Sequence, residues 1–378
     1  MNRVPKFSLA VTLSFILLLT LATSALALTF AVVDTADDDA PPTSLSVSPS
    51  GAVFVAYDKA AGDDLYSAEW TGSSWTKTKV RGRIGVSCYD ALVGPVIGLK
   101  PGGGQAIASA CNYAQGDETF WSNKKASTWT TSIIGSLPMP YAHIGYYTSL
   151  DVCFDPTSHQ PSVFFGDTNG EFAARFYHDA LGWHEQDVTS PVDLGTGQDG
   201  PAVSCAYDPV SGQLAVAITG LRYSPGGLKY GTYDPSTKHW SVSGLGLSDA
   251  LGIPSLAFAP DGAPSIGFQE GGTAASHLEV GTRPTSTWTF VNVDSSSTLT
   301  GVAPSLAFKG SLQRVAYYDQ TNGDLRWATY NGTSWSISTL ESTNDVGKYP
   351  SLAFSSAPQP YISYWDATKK DVRWARPS

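Results

Sequence analysis

A motif that returns along the chain, a period of about 46 to 58 residues, and Gly- and Asn-containing turns between short alternating runs predict an all-β chain. These features specify a seven-bladed β-propeller with four-stranded antiparallel blades. The motif is clearest at Pro304-Ser-Leu-Ala-Phe308, followed by Val315-Ala-Tyr-Tyr-Asp319, Asp324-Leu-Arg-Trp-Ala328 and Trp335. It returns as Pro350-Ser-Leu-Ala-Phe354, Tyr361-Ile-Ser-Tyr-Trp-Asp366 and Asp371-Val-Arg-Trp-Ala375, after which no matching Trp follows. No segment beyond the N-terminal region carries a 3.6-residue apolar stripe over three turns.

Residues 1–27 read as a secretory signal peptide. Arg3 and Lys6 precede an apolar run from Phe7 to about Ala22, and Ala25-Leu-Ala27 is a small-x-small cleavage site. No other apolar run is long enough to span a bilayer as a helix. The mature protein is therefore expected to be secreted or held at the cell surface, with residues 28–378 as one domain.

Leu28-Thr-Phe-Ala-Val-Val-Asp34 has nearly the pattern of Trp288-Thr-Phe-Val-Asn-Val-Asp294, the fourth strand of unit five. The last unit is one strand short. Residues 28–34 are expected to complete it by pairing near Arg373 to Ala375, which leaves no open sheet edge. The seven first strands align as Thr43–Val47, Pro95–Leu99, Leu150–Phe154, Val203–Tyr207, Pro254–Phe258, Pro304–Phe308 and Pro350–Phe354. Trp75, Trp129, Trp183, Trp240, Trp288 and Trp335 open fourth strands. They suit packing between blades; the alternative is a carbohydrate site in each interblade groove. The recurrent Asp319 and Asp366 suit turn capping through backbone N–H groups two residues on.

The 378 residues carry a net charge of -10, with 42% hydrophobic and 15% charged residues. This balance suits a large core and argues against general nucleic-acid binding, which needs a basic face. Glycans and cations stay open as ligands. No cofactor and no metal ligand set is expected, because no clustered Cys/His spacing is present. Cys88, in the loop leading into unit two, is expected to pair with Cys111, where the second strand of that unit ends. Cys153 and Cys205 fall in innermost strands of neighbouring units. They suit either a bridge between blades or two buried thiols.

The interblade loops 81–94, 135–149 and 189–200 are long, so a specific site is expected over units two to four. That sector holds Arg81, Arg83, Tyr89, Asp90, Tyr141, His143, Tyr146, Tyr147, Asp193, Asp199, Arg222 and Tyr223. Aromatic rings offer flat surfaces for sugars, and Arg and Asp offer directional hydrogen bonds. The first functional expectation is a monomeric recognition module for a surface glycan or protein. The second is a polysaccharide lyase using His143, a Tyr of the same loop and Arg81, Arg83 or Arg222. The third is a structural role in an envelope or matrix. His159, His178, His184 and His239 are expected in turns on the opposite face.

The repeat Pro-Ser-Leu-Ala-Phe, Ile-Ser-Tyr-Trp-Asp and Asp-Val-Arg-Trp-Ala resembles repeats of secreted bacterial β-propeller proteins of the sialidase-like kind. The resemblance is sharp over units five to seven. It implies a seven-bladed ring and an extracellular setting, and it carries over no catalytic residue. The repeated Ser-x-Asp-x-Gly-x-x-Trp turn of sialidases is absent, and those enzymes have six blades.

Overall fold

The computed structural model describes residues 28–35, 39–59, 64–82, 93–113, 116–138, 149–166, 173–189, 201–219, 227–272, 274–356 and 360–378. Among these residues, twenty-eight strands form seven four-stranded antiparallel sheets, with no helix. Blades 1 to 6 span 39–81, 93–138, 150–187, 202–244, 250–294 and 302–341, each with its strands in chain order. Each first strand packs against the first strands of both neighbours, which places these strands around the axis of a closed ring. The expected signal peptide, residues 1–27, lies outside the described residues, as does Cys88 of the expected Cys88–Cys111 pair.

Blade 7 joins 346–377 to the N-terminal strand Leu28–Asp34. Phe30 pairs with Ala375, Ala31 with Trp374 and Val32 with Arg373, as the short last unit required. Leu28 pairs with Pro377 and Asp34 with Val372, so the closing strand covers all but the first residue of its partner, Asp371–Pro377.

All seven aligned first strands lie inside observed ones, and three of these begin four residues earlier. In blade 5 the strand is Ala250–Phe258 and its register shifts between Leu251 and Ser255. Blades 6 and 7 shift in the same way around Pro304 and Pro350. The cause is the proline, which has no N–H for the ladder and sits where a bulge releases it. Gly347 leads into blade 7 at φ 93, where a Cβ would lie 2.5 Å from the Leu325 backbone. Only glycine meets both demands.

The apolar core is divided into seven clusters, one at each blade junction. This follows from the strand alternation, since both faces of every sheet meet a neighbour. At the seam, Trp374 is fully buried among Trp70, Trp75 and Tyr361. Tryptophans at or near the start of fourth strands also bridge other junctions, with Trp183 against Trp121, Trp240 against Phe164 and Trp288 against Tyr230.

Nearer the axis, the serine of Pro-Ser-Leu-Ala-Phe clasps the next blade. Its hydroxyl accepts the backbone N–H of the residue aligned with the leucine. Leu352 N donates to Ser305, Leu306 N to Ser255 and Leu45 N to Ser351, each at 2.9 Å. Leu256 N donates to Ser204 at 3.0 Å and Ile97 N to Ser44 at 3.1 Å. Between blades 3 and 4, Asp151 replaces the serine and accepts from Cys205 N at 2.7 Å. There the question left open by sequence is answered by a Cys153–Cys205 disulfide, with Cα atoms 6.1 Å apart.

Candidate functional site

Recurrent polar groups hold neighbouring blades together. An acid at the end of a fourth strand accepts from a tyrosine of the next blade. Tyr57 Oη donates to Asp34 Oδ2 and Tyr317 Oη to Asp294 Oδ2, both at 2.6 Å; Tyr364 Oη donates to Glu341. The residue paired with that tyrosine adds charge at two junctions. Arg326 reaches Asp294 at 2.8 Å, and Arg373 reaches Glu341 at 2.6 Å. In blade 1 this position is Tyr66, and Lys77 and Lys59 serve Asp34 instead, at 2.6 and 2.9 Å. Burial raises the Asp34 carboxyl, but hydrogen bonds from Lys77, Tyr57 and Lys59 outweigh it and bring the pKa down to about 2. Asp319 and Asp366 cap turns as expected, accepting from Thr321 N and Thr368 N at 3.1 Å.

Arg81 ends the fourth strand of blade 1, in the register position of these acids. It is buried, and its guanidinium lies 4.2 Å over the Phe120 ring of blade 2. The structure thus places it in a blade junction. Arg83, Tyr89, Asp90, Tyr141, His143, Tyr146, Tyr147, Asp193, Asp199, Arg222 and Tyr223 lie outside the described residues.

The junction into blade 5 has lost its latch. Gly246 stands at the acid's position, Phe268 at the tyrosine's and Glu279 at the arginine's. His277 Nε2 lies 2.9 Å from Glu279 Oε2. Nearby, burial first, then Glu279 and Asp249, push the Glu270 carboxyl up to about 7 against the opposing pull of His277.

The junction between blades 2 and 3 differs most from the others. Val96 occupies the serine's position, and Val152 N turns back to Asp151 Oδ1 of its own blade at 2.8 Å. Gly135 occupies the latch acid's position, where a Cβ would lie 1.9 Å from the Phe176 ring. At four other junctions an arginine covers the aromatics: Arg175 over Tyr233 at 4.1 Å, Arg314 over Trp327 at 4.4 Å, Arg283 over Tyr230 at 4.7 Å and Arg376 over Trp70 at 5.3 Å. Among the described residues no cation lies over Trp121 or Trp183.

A groove of about 400 Å³ opens at this junction. Its lining includes Trp121, Trp183 and His178, with Lys100, Asn123 and Gln160 at polar positions and the Thr130–Ser132 segment along one wall. Trp121 and Trp183 meet edge-on with centroids 5.4 Å apart, and His178 meets Trp183 at 5.3 Å. His178 Nδ1 is held by Gln160 Oε1 at 2.8 Å, which leaves Nε2 without a partner among the described residues. The groove lies in the sector expected from sequence, but on the face that carries the first-to-second and third-to-fourth turns. His159 and His178, expected on that face, both line it. Sequence reasoning did not select Lys100, Asn123 or Gln160, although the alternative reading of the fourth-strand Trp pointed to such grooves. Among the described residues no three His, Cys, Asp or Glu side chains are placed to hold a metal ion, and no helix is long and apolar enough to cross a membrane.

No family model matches the chain, and no curated protein matches it. Similar solved structures are found. An ulvan lyase, a polysaccharide lyase bound to the unit GlcA(1-4)Rha3S, aligns with a TM-score of 0.61 and 11% identity, over 87% of this chain and 90% of its own. Virginiamycin B lyase from Staphylococcus aureus aligns with a TM-score of 0.57 and 12% identity, over 93% and 99%. An α-L-arabinanase from Penicillium chrysogenum, complexed with arabinobiose, aligns with a TM-score of 0.57 and 12% identity, over 92% and 97%. At these identities the likeness is one of fold.

Proposed function

We propose that this chain is a secreted β-propeller that recognises a glycan, with the groove between blades 2 and 3 as a binding site. The observation that carries the reading is the junction itself. It lacks the serine clasp, the acid latch and the covering arginine, and it leaves tryptophan and hydrogen-bonding groups lining one concavity. Its size suits one or two sugar rings, within the range of small-molecule pockets. The aromatic floor supports packing against a sugar's C–H face, and amide and hydroxyl groups at the rim support contacts to ring hydroxyls. The disulfide and the signal-like residues 1–27 support export. Arg83, Tyr89, Asp90, His143, Tyr146, Tyr147, Asp199, Arg222 and Tyr223 belong to the proposal as contacts of the other face.

A second reading, polysaccharide cleavage, is supported by the similar fold of the ulvan lyase. One experiment separates the two. The purified protein is incubated with a polysaccharide array while bound protein and ultraviolet-absorbing unsaturated product are read together. Binding without product, reduced in Trp183→Ala and in Asn123→Ala, is the expected result. Unsaturated product would make the protein a lyase. Silence in both readouts would refute glycan recognition and favour a protein partner or a structural role.

A further inference from the structure

We infer that the groove between blades 2 and 3 selects acidic glycans, with the Lys100 ammonium facing an anionic oxygen group carried on a sugar ring. The inference rests on the glycan reading of that groove and names its ligand class.

The first observation is how Lys100 is partnered. Lys59 and Lys77 pair with Asp34, Lys79 with Asp64, Lys124 with Glu69 and Lys348 with Asp345. Lys100 instead donates to a neutral acceptor, Asn123 Oδ1, at 2.7 Å. Among the described residues it has no carboxylate within ion-pair distance. Its ammonium is partly withdrawn from water, and burial pushes its pKa down. A cation that has lost hydration without gaining an anion is unfavourable, and an arriving anion would relieve that cost.

The second observation is the lining. No Asp or Glu is among the groove residues, although the whole chain has 33 acidic against 23 basic residues. A protein of net charge -10 repels polyanions at a distance, so an acid-free groove around one lysine is a local reversal of sign. The third observation is the donor set. Because Lys100 occupies Asn123 Oδ1, the Asn123 Nδ2 group is left to donate. The Thr130 hydroxyl is spent on the Asn123 backbone carbonyl and that of Thr131 is paired with Ser122, so the free donors of the rim are Asn123 Nδ2 and the remaining Lys100 protons, and charged acceptors such as carboxylate or sulfate oxygens match donors best.

Equilibrium binding to polygalacturonate, dextran sulfate and uncharged dextran tests this, with wild type, Lys100→Met and Asn123→Asp. Acidic probes are expected to bind, and to weaken at high salt as exposed charge contacts do. Lys100→Met is expected to weaken them about tenfold or more, the usual consequence of losing a charged hydrogen bond. Its thermal midpoint should be unchanged or higher. Asn123→Asp supplies a competing carboxylate and should weaken acidic probes at least as much. Binding of polygalacturonate alone assigns the group to a carboxylate, and of dextran sulfate alone to a sulfate ester; either supports the inference. Dextran binding as tightly as the acidic probes, or an unaltered affinity in folded Lys100→Met, would overturn acid selection and leave glycan recognition standing. No binding to any of the three, with array members silent too, would remove both.

Discussion

Replacing Asp34 by Asn tests how the ring is held shut. The Asp34 carboxylate ends the closing strand and accepts from Tyr57, Lys59 and Lys77 of blade 1. Its side chain is only 7% exposed, so solvent screens these contacts little. Its pKa falls from 3.8 to about 2 on folding. That difference corresponds to about 2.4 kcal/mol, at 1.36 kcal/mol for each pKa unit. The folded state binds this proton less tightly than the unfolded chain. The stabilisation is therefore complete above about pH 4 and is lost as pH falls towards 2. Asp34→Asn keeps the shape and one acceptor but removes the charge. It is expected to lower stability at pH 7 by about 2–3 kcal/mol, with the neighbouring lysines partly solvated and so less costly than fully buried partners. Denaturant unfolding at pH 7, 4 and 2.5 measures this, and the gap between wild type and variant should narrow to about a third at the lowest pH. Equal stability at pH 7, or a gap that persists unchanged in acid, would refute the assignment of closure energy to this carboxylate.

Two further outcomes follow from other junctions. Opening the Cys153–Cys205 bridge with Cys→Ala at both positions frees a loop with a sequence separation of 52. Stability should fall by about 2–4 kcal/mol, and reductant should lower the wild-type melting midpoint but not the variant's. In blade 5, the Glu270 carboxyl is raised from 4.5 to about 7, so the folded state holds its proton more tightly. Its stabilising contribution is complete below about pH 4.5 and is lost as pH rises through 7. After allowance for partial solvation, Glu270→Gln should be the more stable protein at pH 8 by on the order of 1 kcal/mol. A wild-type pH profile matching that of Glu270→Gln between pH 4.5 and 8 would contradict this.

The closing strand was legible because its signal is local. Residues 28–34 repeat the pattern of 288–294, and the last unit shows a gap of the same length. The Pro-Ser-Leu-Ala-Phe serine was visible as a repeat but not as a clasp. Its partner is a backbone N–H in the next blade, and only the register of two first strands brings them together. Arg81 attracted attention as a loop cation, whereas it occupies an acid's position in the repeat and stacks on Phe120. The groove was the hardest to read. Lys100, Asn123 and Gln160 come from separate segments of two blades, and none belongs to a motif. A signal was nevertheless present. Val96 and Gly135 break two different repeat positions at one junction, and only alignment of all seven units against the strand registers reveals that coincidence.

The seam between the chain ends gives the fold a sense of time. Thr29 Oγ1 lies 3.2 Å from Ser378 Oγ, 349 residues away in sequence, so the strand Leu28–Asp34 must wait for the strand Asp371–Pro377. Pairing across such a separation is slow to form. A truncated product lacking Asp371–Pro377 would have nowhere to seat its N-terminal strand, and both walls of blade 7 would stay wet and open to proteolysis. The same geometry makes the position of the seam arbitrary. A short linker from 378 to 28 and a new opening at the Gly310 turn should move the point of closure into blade 6 without altering the ring.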